Sequence, residues 1–285
     1  MRTIPAHAHY YYVSALAIPW KLPWRLFGSR EEPPVRVIRW QALLATAKET
    51  AAYKPVKPRM EWALHVARKR MNLDLYLPVA LADFYRRSAD FRTPDARDAE
   101  PVPIEAPWPG AKDGLALCPW FPVAEPSTIL HDATWQSVVR REPTLLAGGL
   151  EPLRELAAEM LRDKRKLPSL RWGVLVWSGI GRASMTSSDR NLFWWAFQVP
   201  VLEQYRGFCG DLLAEECEAR EAWHVREDNC IWEGTALPGP LFVTSLLNLR
   251  HTVLRLDCGL TGRIARGPCE CGRSDMRILD LTALP

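Results

Sequence analysis

Pro143-Thr144-Leu145-Leu146-Ala147-Gly148-Gly149 opens the stretch that decides the fold. It is a short apolar run ending on two glycines, the pattern of a buried strand. A helix follows, with Pro152 in its first turn, where a missing N–H costs nothing. Leu150, Leu153, Leu156, Ala157, Met160 and Leu161 share one face of it, and the basic residues between Arg162 and Lys166 sit where a helix end favours cations. Leu170 to Trp177 supplies a second strand, and Ser178-Gly179-Ile180-Gly181 turns the chain. Thr186 and Asp189 have capping-box spacing for a helix over 187–198. Val199 to Tyr205 is a third strand. This alternation of strands and helices predicts a parallel sheet with crossover helices.

Downstream of Leu212 the pattern shortens. Trp223–Val225, Cys230–Glu233, Pro240–Leu246, Val253–Asp257 and Gly262–Ala265 read as strands separated by turn residues, which predicts an antiparallel lobe. Two metal-type pairs bracket that lobe: Cys217 and His224 on one side, Cys269 and Cys271, followed by Gly272, on the other. Three thiolates and one imidazole close a tetrahedron around Zn²⁺ with no position left for substrate, so a structural zinc is expected. Gly272 suits a turn that aims backbone N–H groups at the sulfurs. Cys209, Cys230 and Cys258 are spare thiols, any of which could replace one of the four. The bland alternative is that these cysteines are small buried hydrophobes.

Upstream, Trp40, Leu43, Leu44, Ala47 and Ala51 fall on one helical face. A second helix is predicted from Met60 to Met71, carrying a lone packed His65. A third is predicted from Val79 to Ser88, with Leu81, Phe84 and Tyr85 inward. Residues 94–126 hold eight prolines and read as a long extended connection. Trp135 to Arg141 reads as a short helix. The predicted organisation is an irregular arm at 1–35, a helical segment at 36–93, a Pro-rich connection at 94–130, an α/β core at 131–211 and a zinc-binding antiparallel lobe at 212–285.

Composition narrows the function classes. The chain has 285 residues, 48% of them hydrophobic and 25% charged, within the range of ordinary globular proteins. A net charge of +4, spread without a dense basic run, argues against a nucleic-acid partner. Seven cysteines with no apparent signal peptide suit a reduced, cytoplasmic setting. Residues 13–27 combine Trp20 and Trp24 with Lys21 and Arg25, a mixture that suits a membrane surface, but an arm packed on the body is the expected reading. His7 and His9 in that arm carry no expected role.

Further residues resemble a known family in the same order. They are Pro143-Thr144-Leu145-Leu146, Ser169-Leu170-Arg171-Trp172-Gly173-Val174, Tyr205, Glu216-Cys217-Glu218 with His224, Leu241-Phe242-Val243-Thr244-Ser245-Leu246, Leu254-Arg255, Gly259, and Cys269-x-Cys271-Gly272-Arg273. Together they are similar to the phenylacetate–coenzyme A ligase branch of the adenylate-forming enzymes. That resemblance covers residues 143–277. It implies a carboxylic acid activated by ATP and Mg²⁺ as an acyl-adenylate and passed to coenzyme A.

The chain departs from the family pattern in four places. It has no Ser/Thr/Gly-rich phosphate loop; after Tyr205 come Arg206-Gly207-Phe208-Cys209, without the family's Glu; Leu260 stands where a ribose-binding Asp is expected; and the Lys-bearing C-terminal lobe is not found before Pro285. These were the groups that stabilise adenylyl transfer electrostatically.

The expected function is therefore a degenerate homologue: a zinc-stabilised scaffold that binds an acyl or aryl carboxylic acid, or a protein partner that supplies the missing parts. The departures argue against ATP and Mg²⁺ as cofactors. The alternative is an active ligase with a rebuilt nucleotide site, for which Ser178, Gly179, Gly181, Tyr205, Arg255 and Asp257 are the pocket candidates and Arg182, Asp189, Arg190, Glu203 and Arg206 further substitutes. A third reading makes Cys258 a nucleophile served by His251. Whether the chain is an enzyme is left open by the sequence.

Overall fold

The computed structural model describes residues 35–66, 73, 76–94, 101–125 and 128–283. In chain order its first elements are α1 (Val35–Ala47), α2 (Lys57–Val66), β1 (Val79–Ala80), α3 (Leu81–Arg86), β2 (Gly114–Leu117), β3 (Ile129–Leu130) and α4 (Trp135–Val139). There follow β4 (Leu145–Gly149), α5 (Leu150–Arg162), β5 (Gly173–Gly179), α6 (Ser187–Phe197), β6 (Val201–Arg206), β7 (Leu212–Glu216) and β8 (Trp223–Val225). The last strands are β9 (Cys230–Glu233), β10 (Gly239–Ser245), β11 (Leu256–Ala265) and β12 (Arg277–Ala283).

Contacts divide the chain into two compact units that do not follow sequence order. One comprises the described residues within 95–229 and 268–275, the other those within 35–94, 230–267 and 276–283. The sequence reading kept 212–285 together as one lobe. Contacts group β9 to β12 with the N-terminal helices, and residues 268–275 with the α/β unit.

In the α/β unit, β2, β4, β5 and β6 pair in parallel, β3 joins β2 in parallel, and β7 and β8 turn back antiparallel. The expected parallel sheet with crossover helices is present. Side chains alternate across it, as a pleated strand requires. From β5, Val174 and Val176 enter one core with Leu153, Leu156, Met160 and Phe193 of the crossover helices, while Leu175 and Trp177 enter a second with Phe121 and Leu202. Both faces are covered, which is why the strands read as continuous apolar runs rather than alternating ones.

The capping box is present: Asp189 N–H donates to Thr186 Oγ1, and the Asp189 carboxylate accepts from the Thr186 N–H. Arg154 of α5 binds both Asp189 oxygens, and its guanidinium holds that carboxyl well below the usual range. In α5, Leu150, Leu153, Leu156, Ala157 and Met160 are buried as expected, but Leu161 is exposed.

Three expectations for this unit are corrected. The Pro-rich connection contains β2 and β3, because Gly114-Leu115-Ala116-Leu117 pairs with β4 through contacts that no local signal reveals. The second strand starts at Gly173, since Arg171 and Trp172 N–H groups both donate to Thr144 O. Ser178 and Gly179 end that strand, and the turn is made by Ile180 to Arg182, where Gly181 has φ +71°.

In the other unit, β10 pairs antiparallel with β9 and β11, β12 pairs antiparallel with β11, and β1 pairs parallel with β11. Trp40, Leu43, Leu44 and Ala47 form the buried face of α1, and Ala51 lies exposed beyond its end. The predicted helix over 79–88 is β1 followed by α3, with Phe84 buried but Tyr85 exposed. The strand read at 262–265 and the end of that read at 253–257 belong to one strand, β11, whose buried and half-exposed residues alternate, while Val253 to Arg255 precede it. The sequence reading missed β12.

The arm at 1–34 with its His7, His9 and Trp-rich 13–27, and the 67–71 end of the second predicted helix, lie outside the described residues. So does the side chain of His65. Among the described residues no helix is long and apolar enough to cross a membrane.

Candidate metal centre

Strand β7 ends at Glu216, and β8 returns beside it with Glu215 opposite His224. The turn between them is closed by Cys217 N–H donating to Ala222 O at 2.8 Å and Arg220 N–H donating to Cys217 O at 2.8 Å. Arg220 takes the left-handed φ of +58° that such a tight return needs. This hairpin brings Cys217 and His224 together across six intervening residues.

The second pair comes from another tight turn. Gly272 N–H donates to Cys269 O at 2.9 Å, and Cys269 N–H donates to Arg273 O at 2.8 Å. Gly272 has φ +86°, which a side chain would resist. In the first turn, Ala219 N–H donates to Cys217 Sγ at 3.3 Å.

The ligand atoms of Cys217, His224, Cys269 and Cys271 all lie within 4.8 Å of one another. Cys217 Sγ is 3.4 Å from Cys269 Sγ, and Cys271 Sγ is 3.2 Å from His224 Nε2. Three of the four are buried and Cys271 is partly exposed. Burial pushes the Cys217 thiol up to about 12, the other thiols adding to the shift and the Ala219 N–H opposing it. A divalent cation reverses that balance, because it stabilises the thiolates that desolvation penalises. The donor set and spacing therefore fit a tetrahedral metal of the zinc type. Among the described residues this is the only such group of three or more ligating side chains. Neither Cys230 nor Cys258 joins it. Cys258 donates to Leu241 O, while the His251 ring stands edge-on to Phe84.

The sequence reading missed Asp275, which lies 2.6 Å from His224 Nδ1. The signal available was a carboxylate four positions after Cys271, with Arg273 between them to hold it.

The nucleotide-pocket candidates are divided between the two units. Ser178, Gly179, Gly181 and Tyr205 belong to the α/β unit, and Arg255 and Asp257 to the other. Tyr205 is buried at 2% exposure within β6. Arg255 donates to Glu233 and to Tyr76 O, and Asp257 accepts from Gly259 N–H. Gly179 does allow a close approach, but of backbone: a Cβ there would lie 2.1 Å from Arg206 O.

The further substitutes are also engaged. Arg190 binds Glu216 and Val201 O; Arg182 lies over the Trp120 ring at 3.9 Å. Arg206 is fully buried, bonded to Gly210 O and Gln204 and stacked against Phe121 and Trp177. Trp177, Phe193 and Phe197 are core residues, whereas Trp194 and Trp195 face outward.

The fold resembles that of a solved CoA ligase. The chain superposes on 2-hydroxyisobutyryl-CoA ligase, in an open conformation with 2-HIB-AMP and CoA, with a TM-score of 0.61 and 10% identity, over 87% of this chain and 69% of that one. The same ligase in its postadenylation state with 2-HIB-AMP gives a TM-score of 0.59 and 12% identity, over 87% and 67%. No protein-family model matches the chain, and no curated protein does.

Glu203 is a further perturbed group in the α/β unit. It is 2% exposed on β6, with Met185 N–H donating to Oε1 at 3.2 Å. Burial pushes its carboxyl up from an ordinary 4.5 to about 7, helped by the nearby Glu216 and opposed by hydrogen bonds including that of Met185. A raised carboxyl favours folding while protonated, so its contribution is full below pH 4.5 and is lost as pH rises through about 7. Glu203→Gln keeps the shape and an acceptor oxygen without the charge. It is expected to be more stable than wild type at pH 8 by roughly 3 kcal/mol at most, and equal to it at acid pH. Urea midpoints at the two pH values measure this, and equal midpoints at pH 8 would contradict it.

Proposed function

We propose that this chain is a zinc-stabilised scaffold on an adenylate-forming-ligase fold, and that it does not carry out adenylation by itself. The observation that carries the reading is the convergence of Cys217, His224, Cys269 and Cys271 within 4.8 Å from two tight turns. Four protein ligands leave no open position, so the metal's contribution is to fold residues 268–275 onto the β7–β8 hairpin rather than to activate substrate.

Support for the loss of adenylation comes from the pocket candidates. Gly179 is filled by the Arg206 carbonyl, Arg255 is tied to Glu233 and Tyr76, and Leu260 replaces the expected ribose-binding carboxylate. The order of motifs over residues 143–277 supports an origin in the phenylacetate–coenzyme A ligase branch. The thiolate-rich site suits a reducing, cytoplasmic compartment. The partner class that follows is an acyl or aryl carboxylic acid, or a protein that completes the missing nucleotide machinery.

Calorimetric titration of the zinc-loaded protein with Mg²⁺–ATP, alone and with aryl and fatty acids, tests this. No nucleotide binding at millimolar ATP is expected. Micromolar binding would overturn the reading in favour of an active ligase with a rebuilt site.

A further inference from the structure

We propose that Asp275 is the positioning residue of the metal centre: clamped by Arg273, it fixes His224 in the tautomer that offers Nε2 to the metal. The proposal rests on the zinc reading above. Asp275 Oδ1 lies 2.6 Å from His224 Nδ1, on the opposite side of the ring from Nε2, which faces Cys271 Sγ at 3.2 Å. A carboxylate only accepts, so Nδ1 carries the proton and Nε2 presents its lone pair to the thiols.

His224 is 0% exposed, so its Nδ1 relies on Asp275 for a partner. Removal of the carboxylate leaves a buried N–H unpaired, or lets the ring rotate Nε2 away from the sulfurs.

Asp275 is itself held. Arg273 Nε and Nη2 both donate to Asp275 Oδ2, at 3.1 and 2.6 Å, and Arg273 Nη1 donates to Glu215. Glu215 is the residue directly opposite His224 across the β7–β8 pair, and its other oxygen accepts from Arg226. The clamp thus ties the Cys269–Cys271 turn to the hairpin that carries the imidazole. Arg273 also balances the Asp275 charge, so the carboxylate orients the ring without adding net negative charge beside three thiolates.

The test uses the full chain, stripped of metal with a chelator and titrated with Zn²⁺ against a competing chelating dye. Asp275→Asn is expected to bind zinc roughly 10–100-fold more weakly than wild type. The variant is expected to lose less stability relative to wild type in its metal-free form than in its zinc-loaded form. Equal zinc affinity would overturn the proposal while leaving the metal site standing. A deficit as large without metal as with it would reduce Asp275 to a structural role and also overturn it. Failure of wild type to bind zinc would overturn both readings. Should the variant misfold, ¹⁵N resonances of His224 in zinc-loaded wild type decide: a protonated Nδ1 is expected, and a protonated Nε2 contradicts the proposal.

Discussion

Cys271→Ser is expected to release the metal and lower the melting temperature of the α/β unit by roughly 10 °C or more. A serine hydroxyl is a poor ligand for Zn²⁺, and the three remaining donors are the more deeply buried ones. With the fourth ligand gone, Cys217 and Cys269 still face each other at 3.4 Å, and the turn at residues 268–275 keeps only its hydrogen bonds to the hairpin. Chelation of wild type should reproduce the drop, and chelation of the variant should add little, because both act on one interaction. Amide exchange should rise in residues 268–275 and 217–224 in both cases. An unchanged melting temperature and metal content in Cys271→Ser would contradict the assignment.

Gly179→Ala is expected to cost roughly 3–5 kcal/mol, at the upper end for one added methyl group. Gly179 pairs with Arg206 across β5 and β6, and the new Cβ would lie 2.1 Å from Arg206 O and 3.0 Å from its carbonyl carbon. Both groups are backbone in a parallel ladder, so no rotamer change relieves the overlap and the strands themselves must separate. Gly110→Ala is the control. Gly110 has φ +84° and no atom within 4 Å of an added Cβ, so it should show only the backbone strain of about 1–2 kcal/mol. Urea denaturation of the two variants separates the effects. A Gly179→Ala protein as stable as the Gly110→Ala one would mean that the space beside Gly179 is open, as a ligand site would require.

The order β4, α5, β5, α6, β6 was legible because each element announces itself locally. Gly148-Gly149, Pro152, the Thr186–Asp189 cap and the turn glycine at Gly181 mark the boundaries, and both-sided burial gives unbroken apolar strands. The convergence of Cys217, His224, Cys269 and Cys271 was legible for a chemical reason: few structures other than a metal site need Cys-x6-His and Cys-x-Cys-Gly in one chain.

What was hidden depends on pairing across long sequence separations. Gly114–Leu117 is too short and too flanked by proline to read as a strand, and only β4 makes it one. Nothing local tells that residues 268–275 leave β11 and β12 to join the α/β unit. Gly179 was visible as a residue needing close approach, but the sequence does not say whether a ligand or the Arg206 carbonyl approaches. Asp275 was hidden because a lone Asp four residues past a cysteine is common, and its meaning comes only from the His224 ring.

The central claim is that a metal closes this tetrad. Mass spectrometry under native conditions, on protein purified without added metal, tests it most directly. One zinc per chain in wild type, lost in Cys217→Ser, Cys269→Ser and Cys271→Ser alike but retained in Cys258→Ser, is the predicted result. A metal-free wild-type chain that cannot be loaded with Zn²⁺, or zinc that persists in all three tetrad variants, would contradict it.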